Sequence, residues 1–278
     1  ALQNNCEPYP QASSRKNHGT PLIMCRIAAY TRPAIPLENI VVRPAHSLLT
    51  QSQHANEAKL AVNGDGFGIA WYGDDTRPGL YRDVLPSWAD GNLLSLCRMM
   101  RSSQFIAHVR AGTVGETSRA NCHPFTYDNW SFCHNGQIPH FASIRRRMEA
   151  ALPDNLFASR RGTTDSEMIF LTLLANGLDN NPSEAMRTTL DIIGPATDQG
   201  PIRLTTVFSN GSSLFAFRYA SDGCCPTLYL SGVLDNGGRS LASEPLCGDA
   251  SKWTTVPTDC IFEVDERGDT QAGLMLAA

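Results

Sequence analysis

Apolar patterning in this chain begins at Met24. Cys25–Tyr30 (Cys-Arg-Ile-Ala-Ala-Tyr) predicts a buried strand ending near Pro33, and Pro44–Leu60 carries a weak helical pattern. Asn63-Gly64-Asp65-Gly66 is turn chemistry leading into a strand at Phe67–Tyr72. A helix is expected at 92–100, strands at 105–110 and 130–133, and a surface helix at 141–152. Thr164 and Glu167 have the spacing of a capping box and open the clearest helix, with Met168, Ile169, Leu171, Leu173 and Ala175 at helical spacing. A further helix covers Glu184–Ile193. From Ile202 onward the pattern turns to short strands, at 204–208, 214–217, 227–230, 240–243 and 260–264. Strands, then helices, then strands predict an α+β layered domain rather than repeating βαβ units.

Residues 1–23 differ from the rest. They are polar, rich in turn formers and without apolar period, and are expected to be a leader, tag or propeptide ahead of a single domain at 24–278. Their composition lacks the apolar core of a secretory signal, and no apolar run approaches the roughly 20 residues of a membrane span. Net charge is −4, so no basic surplus exists to neutralise a phosphate backbone, and nucleic acid is not an expected partner. Nine scattered cysteines without a Cys-x-x-Cys pair argue against a disulfide scaffold or structural zinc and favour a reducing cytoplasm. The glycine run at 64–68 precedes a strand, whereas phosphate loops precede helices. Neither a metal nor a cofactor is therefore expected.

Four short segments can carry chemistry. Cys25 follows Met24, and cleavage of that bond would leave the cysteine with its own α-amine. That amine, with a pKa near 7.7–8.0, is partly neutral at neutral pH and can take the thiol proton. Inside a peptide bond the same nitrogen is no base, and Cys25 is then only a buried strand residue. Arg110, at the end of a buried strand and followed by small residues, suits a substrate carboxylate as well as a structural ion pair. Asn135-Gly136 fits a hairpin turn or an oxyanion hole built from a side-chain amide and a backbone N–H. Asp165 fits a helix first turn or an ammonium-binding carboxylate.

Seven motifs in order give these segments a common context: Met-Cys-Arg at 24–26, Asn-Gly-Asp-Gly-Phe-Gly at 63–68 with Trp71-Tyr72, Ala-His-Val-Arg at 107–110, Asn-x-His-Pro-Phe at 121–125, His-Asn-Gly at 134–136, Thr-Asp-Ser-Glu at 164–167 and Ser-Glu-Pro-Leu at 243–246. Together they resemble the class II glutamine amidotransferases, whose fold is that of N-terminal nucleophile hydrolases, and most of all their compact stand-alone branch. The resemblance implies a four-layer αββα sandwich of two antiparallel sheets. It implies Cys25 as nucleophile with its α-amine as base, and Asn135 and Gly136 as the oxyanion hole. Arg110 and Asp165 would hold a zwitterionic glutamyl head, with His108 and His134 among the substrate-binding residues. The implied reaction is hydrolysis of the γ-amide of glutamine or of a γ-glutamyl compound. Two alternatives stand beside it: a glutaminase subunit that passes ammonia to a separate synthase, and an unprocessed, inactive binding module. Where larger synthases carry an aromatic residue after the arginine, this chain has Ala111-Gly112, which leaves room for a larger γ-glutamyl substrate. Ser243 and Glu244 receive no role from the sequence.

Overall fold

The computed structural model describes residues 25–57, 62–112, 116–194, 200–265 and 267–273. In chain order the elements are β1 (Arg26–Pro36), α1 (Glu38–Val41), α2 (Leu48–Gln53), β2 (Phe67–Trp71), β3 (Gly79–Asp83), α3 (Leu93–Met99), β4 (Arg101–Val109), β5 (Phe125–Tyr127), β6 (Trp130–Gln137), α4 (Phe141–Ala150), α5 (Asp154–Ser159), α6 (Asp165–Ala175), α7 (Pro182–Ile193), β7 (Arg203–Ser209), β8 (Leu214–Ala220), β9 (Tyr229–Ser231), β10 (Arg239–Ala242), β11 (Trp253–Thr255), β12 (Ile261–Val264) and β13 (Thr270–Ala272). They form two antiparallel sheets, ordered β11-β9-β10-β1-β4-β2-β3 and β13-β12-β8-β7-β6-β5.

Period-two alternation sorts the side chains into layers. On β1, Ala28 and Tyr30 face α1, α2 and α3 together with Phe105 and Ala107 of β4. Ile27 and Ala29 face the other way, packing with Cys133, Val207 and Ala216 from the second sheet. The far side of that sheet buries Phe132, Phe208 and Phe217 under α4–α7. Three apolar layers between four structural layers make the αββα sandwich. Both sheets are covered on both faces, which is why their central strands read as nearly continuous apolar runs.

Some boundaries differ from the sequence reading. The expected helix over 44–60 shrinks to α2, capped by Ser47, whose hydroxyl accepts the Thr50 N–H at 3.2 Å. Beyond it the N–H groups of Asn56 and Glu57 go to the Glu244 carboxylate rather than to helical carbonyls, and the end of that expected helix lies outside the described residues. The first strand does not stop near Pro33. It shifts register between Thr31 and Ile35 and resumes pairing with β4 to Pro36, so the prolines at 33 and 36 fall at an irregularity and a strand end. His134-Asn135-Gly136 is not a hairpin turn, because β6 continues through it and pairs with β7 as far as Gln137. The segment expected to be a leader, 1–23, lies outside the described residues. No helix among the described residues is long and apolar enough to cross a membrane.

Candidate active site

Cys25 stands at the head of β1, in the middle of the first sheet. Register pairs Arg26 with Val109, which sets Cys25 beside the end of β4. Its thiol sulfur takes the Ala111 N–H at 3.4 Å and lies 3.5 Å from the Ala111 carbonyl. Its carbonyl oxygen accepts two donors, Asn135 Nδ2 at 2.9 Å and Arg26 Nη1 at 3.0 Å. Burial pushes the thiol pKa up, against the Ala111 N–H and the charges of Arg110 and Arg26, which pull it down. At neutral pH the thiol thus keeps its proton unless a base removes it.

Arg110 is held by the turn the sequence marked for its glycines. Its N–H donates to the Gly66 carbonyl at 2.8 Å, its carbonyl accepts the Asp65 N–H at 3.0 Å, and Asp65 Oδ2 accepts the Gly112 N–H at 2.7 Å. The buried guanidinium lies over Gly112, where a Cβ would stand 3.2 Å from Nη1. The glycine run is a packing requirement. Gly66 has φ +115°, and a Cβ there would meet Cys122 Sγ at 2.6 Å, while one on Gly68 would meet the His123 carbonyl at 2.3 Å. Asp65 was not singled out by the sequence, since its role depends on a partner 47 positions away.

Asn135 and Gly136 come from β6 in the facing sheet. Gly136 has φ +143°, and a Cβ would fall 1.9 Å from the Arg203 carbonyl, so the position excludes any side chain. Asp165 opens α6, with Oδ1 accepting its neighbour's N–H (Ser166, 2.8 Å) and Oδ2 accepting the Ile138 N–H just past β6 (2.9 Å). His134 Nδ1 lies 2.9 Å from Ser166 Oγ. Thr164 caps the helix through the Glu167 N–H at 3.2 Å. The buried Glu167 carboxylate takes the N–H groups of Arg161 and Gly162. The structure therefore puts Cys25, Arg110 and Asn135 side by side, and joins Asp165 to them through β6.

His108 and His134, each 1% exposed, are buried beside this cluster, and the His108 ring lies 4.2 Å from that of His123. Burial, reinforced by Arg110 and His134, pulls the His108 pKa down to about 3, so its imidazole is neutral at physiological pH. His123 and His134 are shifted down for the same leading reason. The sequence reading also left unexplained an ion pair behind the cysteine, between Arg26 and Glu244 at 2.9 Å. The Ser-Glu-Pro-Leu motif was its only signal. Among the described residues no group of three or more His, Cys, Asp or Glu side chains is arranged to hold a metal.

Comparison with known proteins gives a family match and, among others, two relatives and two solved structures. A family model described as glutamine amidotransferases class-II matches residues 39–228. The chain is 31% identical to the probable glutamine amidotransferase DUG3 of Saccharomyces cerevisiae, over 88% of this chain and 82% of that one. It is 27% identical to the gamma-glutamyl-hercynylcysteine sulfoxide hydrolase of Mycolicibacterium smegmatis, over 87% and 96%. A solved glutamine aminotransferase class-II domain protein from Silicibacter pomeroyi superposes with TM-score 0.70 at 31% identity, covering 91% of this chain and all of that one. The glutamine phosphoribosylpyrophosphate amidotransferase of Bacillus subtilis shares the fold, with TM-score 0.61 at 13% identity over 89% of this chain and 48% of that one.

Proposed function

This chain belongs to the class II glutamine amidotransferases, and from that premise we propose that it hydrolyses a γ-glutamyl amide through a Cys25 thioester, with the free α-amine of Cys25 as the base. The observation that carries the reading is the environment of Cys25. Its thiol is raised in pKa and needs a base, and its carbonyl is bound by the amide of Asn135, the side chain that would face the reacting carbonyl. The α-amine of a chain beginning at residue 25 is the base that the residue itself carries.

In this mechanism the amine takes the thiol proton and the thiolate attacks the γ-carbonyl. The Asn135 Nδ2 and the Gly136 N–H hold the tetrahedral oxyanion. The C–N bond breaks as the ammonium returns its proton to the leaving nitrogen, giving a γ-glutamyl thioester. Water, deprotonated by the same amine, cleaves the thioester to release glutamate. Arg110 binds the α-carboxylate and Asp165 the α-ammonium, so that one cation and one anion read both ends of a zwitterion. His108 and His134, neutral and buried, would shape the floor of the substrate pocket. A γ-glutamyl compound rather than glutamine alone is favoured by the small residues after Arg110 and by the substrate in the name of the Mycolicibacterium relative.

The test compares three proteins: the chain starting at Cys25, the same chain with an N-terminal Met retained, and Cys25→Ala. Release of glutamate from glutamine and from γ-glutamyl dipeptides is measured. Turnover is expected from the first alone. Full turnover by a chain whose Cys25 nitrogen is acylated would overturn the amine-base mechanism.

A further inference from the structure

Glu244 is 1% exposed and lies just past β10, where the Ser243 N–H donates to the Ile27 carbonyl and the Ser243 hydroxyl accepts the Ile27 N–H, each at 2.9 Å. Its carboxylate meets four donors. Oε1 pairs with Arg26 Nη2 at 2.9 Å and accepts the Glu57 N–H at 2.9 Å. Oε2 accepts the Asn56 N–H at 3.0 Å and meets His46 Nε2 at 2.6 Å. Burial opposes ionisation, but the His46 bond, the Arg26 charge and the two backbone N–H groups outweigh it and hold the carboxyl below its usual range. Arg26 is itself fully buried, and its Nη1 donates to the Cys25 carbonyl, the oxygen that also takes the Asn135 amide.

The Cys25–Arg26 peptide is thus gripped from two sides. Asn135 holds it from the facing sheet, and a guanidinium that Glu244 anchors holds it from behind. We propose that Glu244, acting through Arg26, is a positioning residue for the reaction. It sets the rotation of the Cys25–Arg26 peptide plane, and with it the place of the thiol and of the Asn135 amide relative to the scissile carbonyl. The inference rests on Cys25 being the nucleophile. A pair that only stabilised the fold would behave differently. Deleting one partner strands a buried charge, whereas replacing both with uncharged residues of similar size is tolerated. Positioning, by contrast, needs the guanidinium N–H on the Cys25 carbonyl, which an uncharged pair cannot supply.

The experiment uses the chain beginning at Cys25 and a γ-glutamyl dipeptide. Glu244→Gln and Arg26→Met are each expected to lower kcat tenfold or more and to destabilise the protein. The double variant Arg26→Met/Glu244→Gln is expected to regain the wild-type melting temperature while kcat stays at least tenfold down. KM should remain within threefold, because Arg110 and Asp165 are untouched. Should the double variant not fold, Glu244→Asp, which keeps the charge but withdraws the carboxylate by one methylene, is read on the same scale. A folded variant losing less than tenfold in kcat, or losing it through KM, overturns the proposal. Cys25→Ala run in parallel separates the two ideas. Activity surviving that change overturns the nucleophile assignment itself, whereas an inactive Cys25→Ala beside a fully active double variant overturns only the role of Glu244.

Discussion

Asn135 donates to the Cys25 carbonyl at 2.9 Å while its own Oδ1 has no hydrogen-bond partner among the described residues. In the proposed reaction its Nδ2 stabilises charge that exists only in the transition state. Loss of one such donor typically costs about 100- to 1000-fold in kcat. Asn135→Ala is expected to fall in that range in steady-state assays, and a drop below threefold in folded protein would remove Asn135 from the oxyanion hole. Gly136 answers to sterics instead. Gly136→Ala puts a methyl 1.9 Å from the Arg203 carbonyl at a φ that side chains rarely adopt, so β6 and β7 must separate. A lower melting temperature and weaker circular dichroism are the expected result; wild-type stability would show that the strands can shift to admit it.

Among the elements, α6 bears the most on the site, because its first turn presents Asp165 and the Ser166 hydroxyl bonded to His134. Its entry angle is held by the Thr164 cap and by Glu167, whose carboxylate takes the N–H groups of Arg161 and Gly162 in the segment between α5 and α6. Thr164→Ala is expected to cost about 1 kcal/mol, typical of a lost N-cap. That corresponds to a melting temperature lower by roughly 2–4 °C in a chain of this size. Because Asp165 moves with the turn, KM for the γ-glutamyl substrate should rise while kcat changes less. An unchanged KM would detach the cap from substrate binding. On β2, the close approach at Gly68 places the 121–123 turn against the strand that lies next to β4, so Gly68 serves the seat of Arg110 indirectly, whereas Gly66 bonds it directly.

At the scale of the whole molecule, the space beside the site buries three histidines whose pKa values are all depressed by burial. For His108 the folded value is about 3 against an ordinary 6.5. At pH 8 the ring is neutral in both states. As pH falls below 6.5 the unfolded chain binds a proton that the folded chain refuses, so stability declines with falling pH down to the folded pKa. Urea midpoints are expected to change little above the ordinary value of 6.5 and to drop as the pH is lowered below it, and His108→Gln should flatten that slope. Equal slopes for the two proteins would mean that His108 takes up its proton at the same pH in the folded and unfolded states.

Much of the architecture was legible because the αββα sandwich covers both faces of each sheet, leaving long apolar strands, and because Thr164 and Glu167 mark the start of α6 within four residues. Strand ends were harder, since β1 past Pro33 and β6 past Cys133 owe their continuation to pairing with β4 and β7. Cys25, Arg110, Asn135 and Asp165 could be nominated from residue chemistry and motif order, since a thiol, a guanidinium, an amide and a carboxylate each have a limited set of uses. Asp65, Glu244 and the His108–His123 stack could not. Their meaning lies in partners tens to hundreds of positions away, and Arg26 meets Glu244 only because β10 folds back along β1. The amino acids determined which functional groups were available and the spacing that sorts them into layers. Which groups touch was decided by strand register between distant segments, a property carried by the packed sheets and by no local stretch of chain.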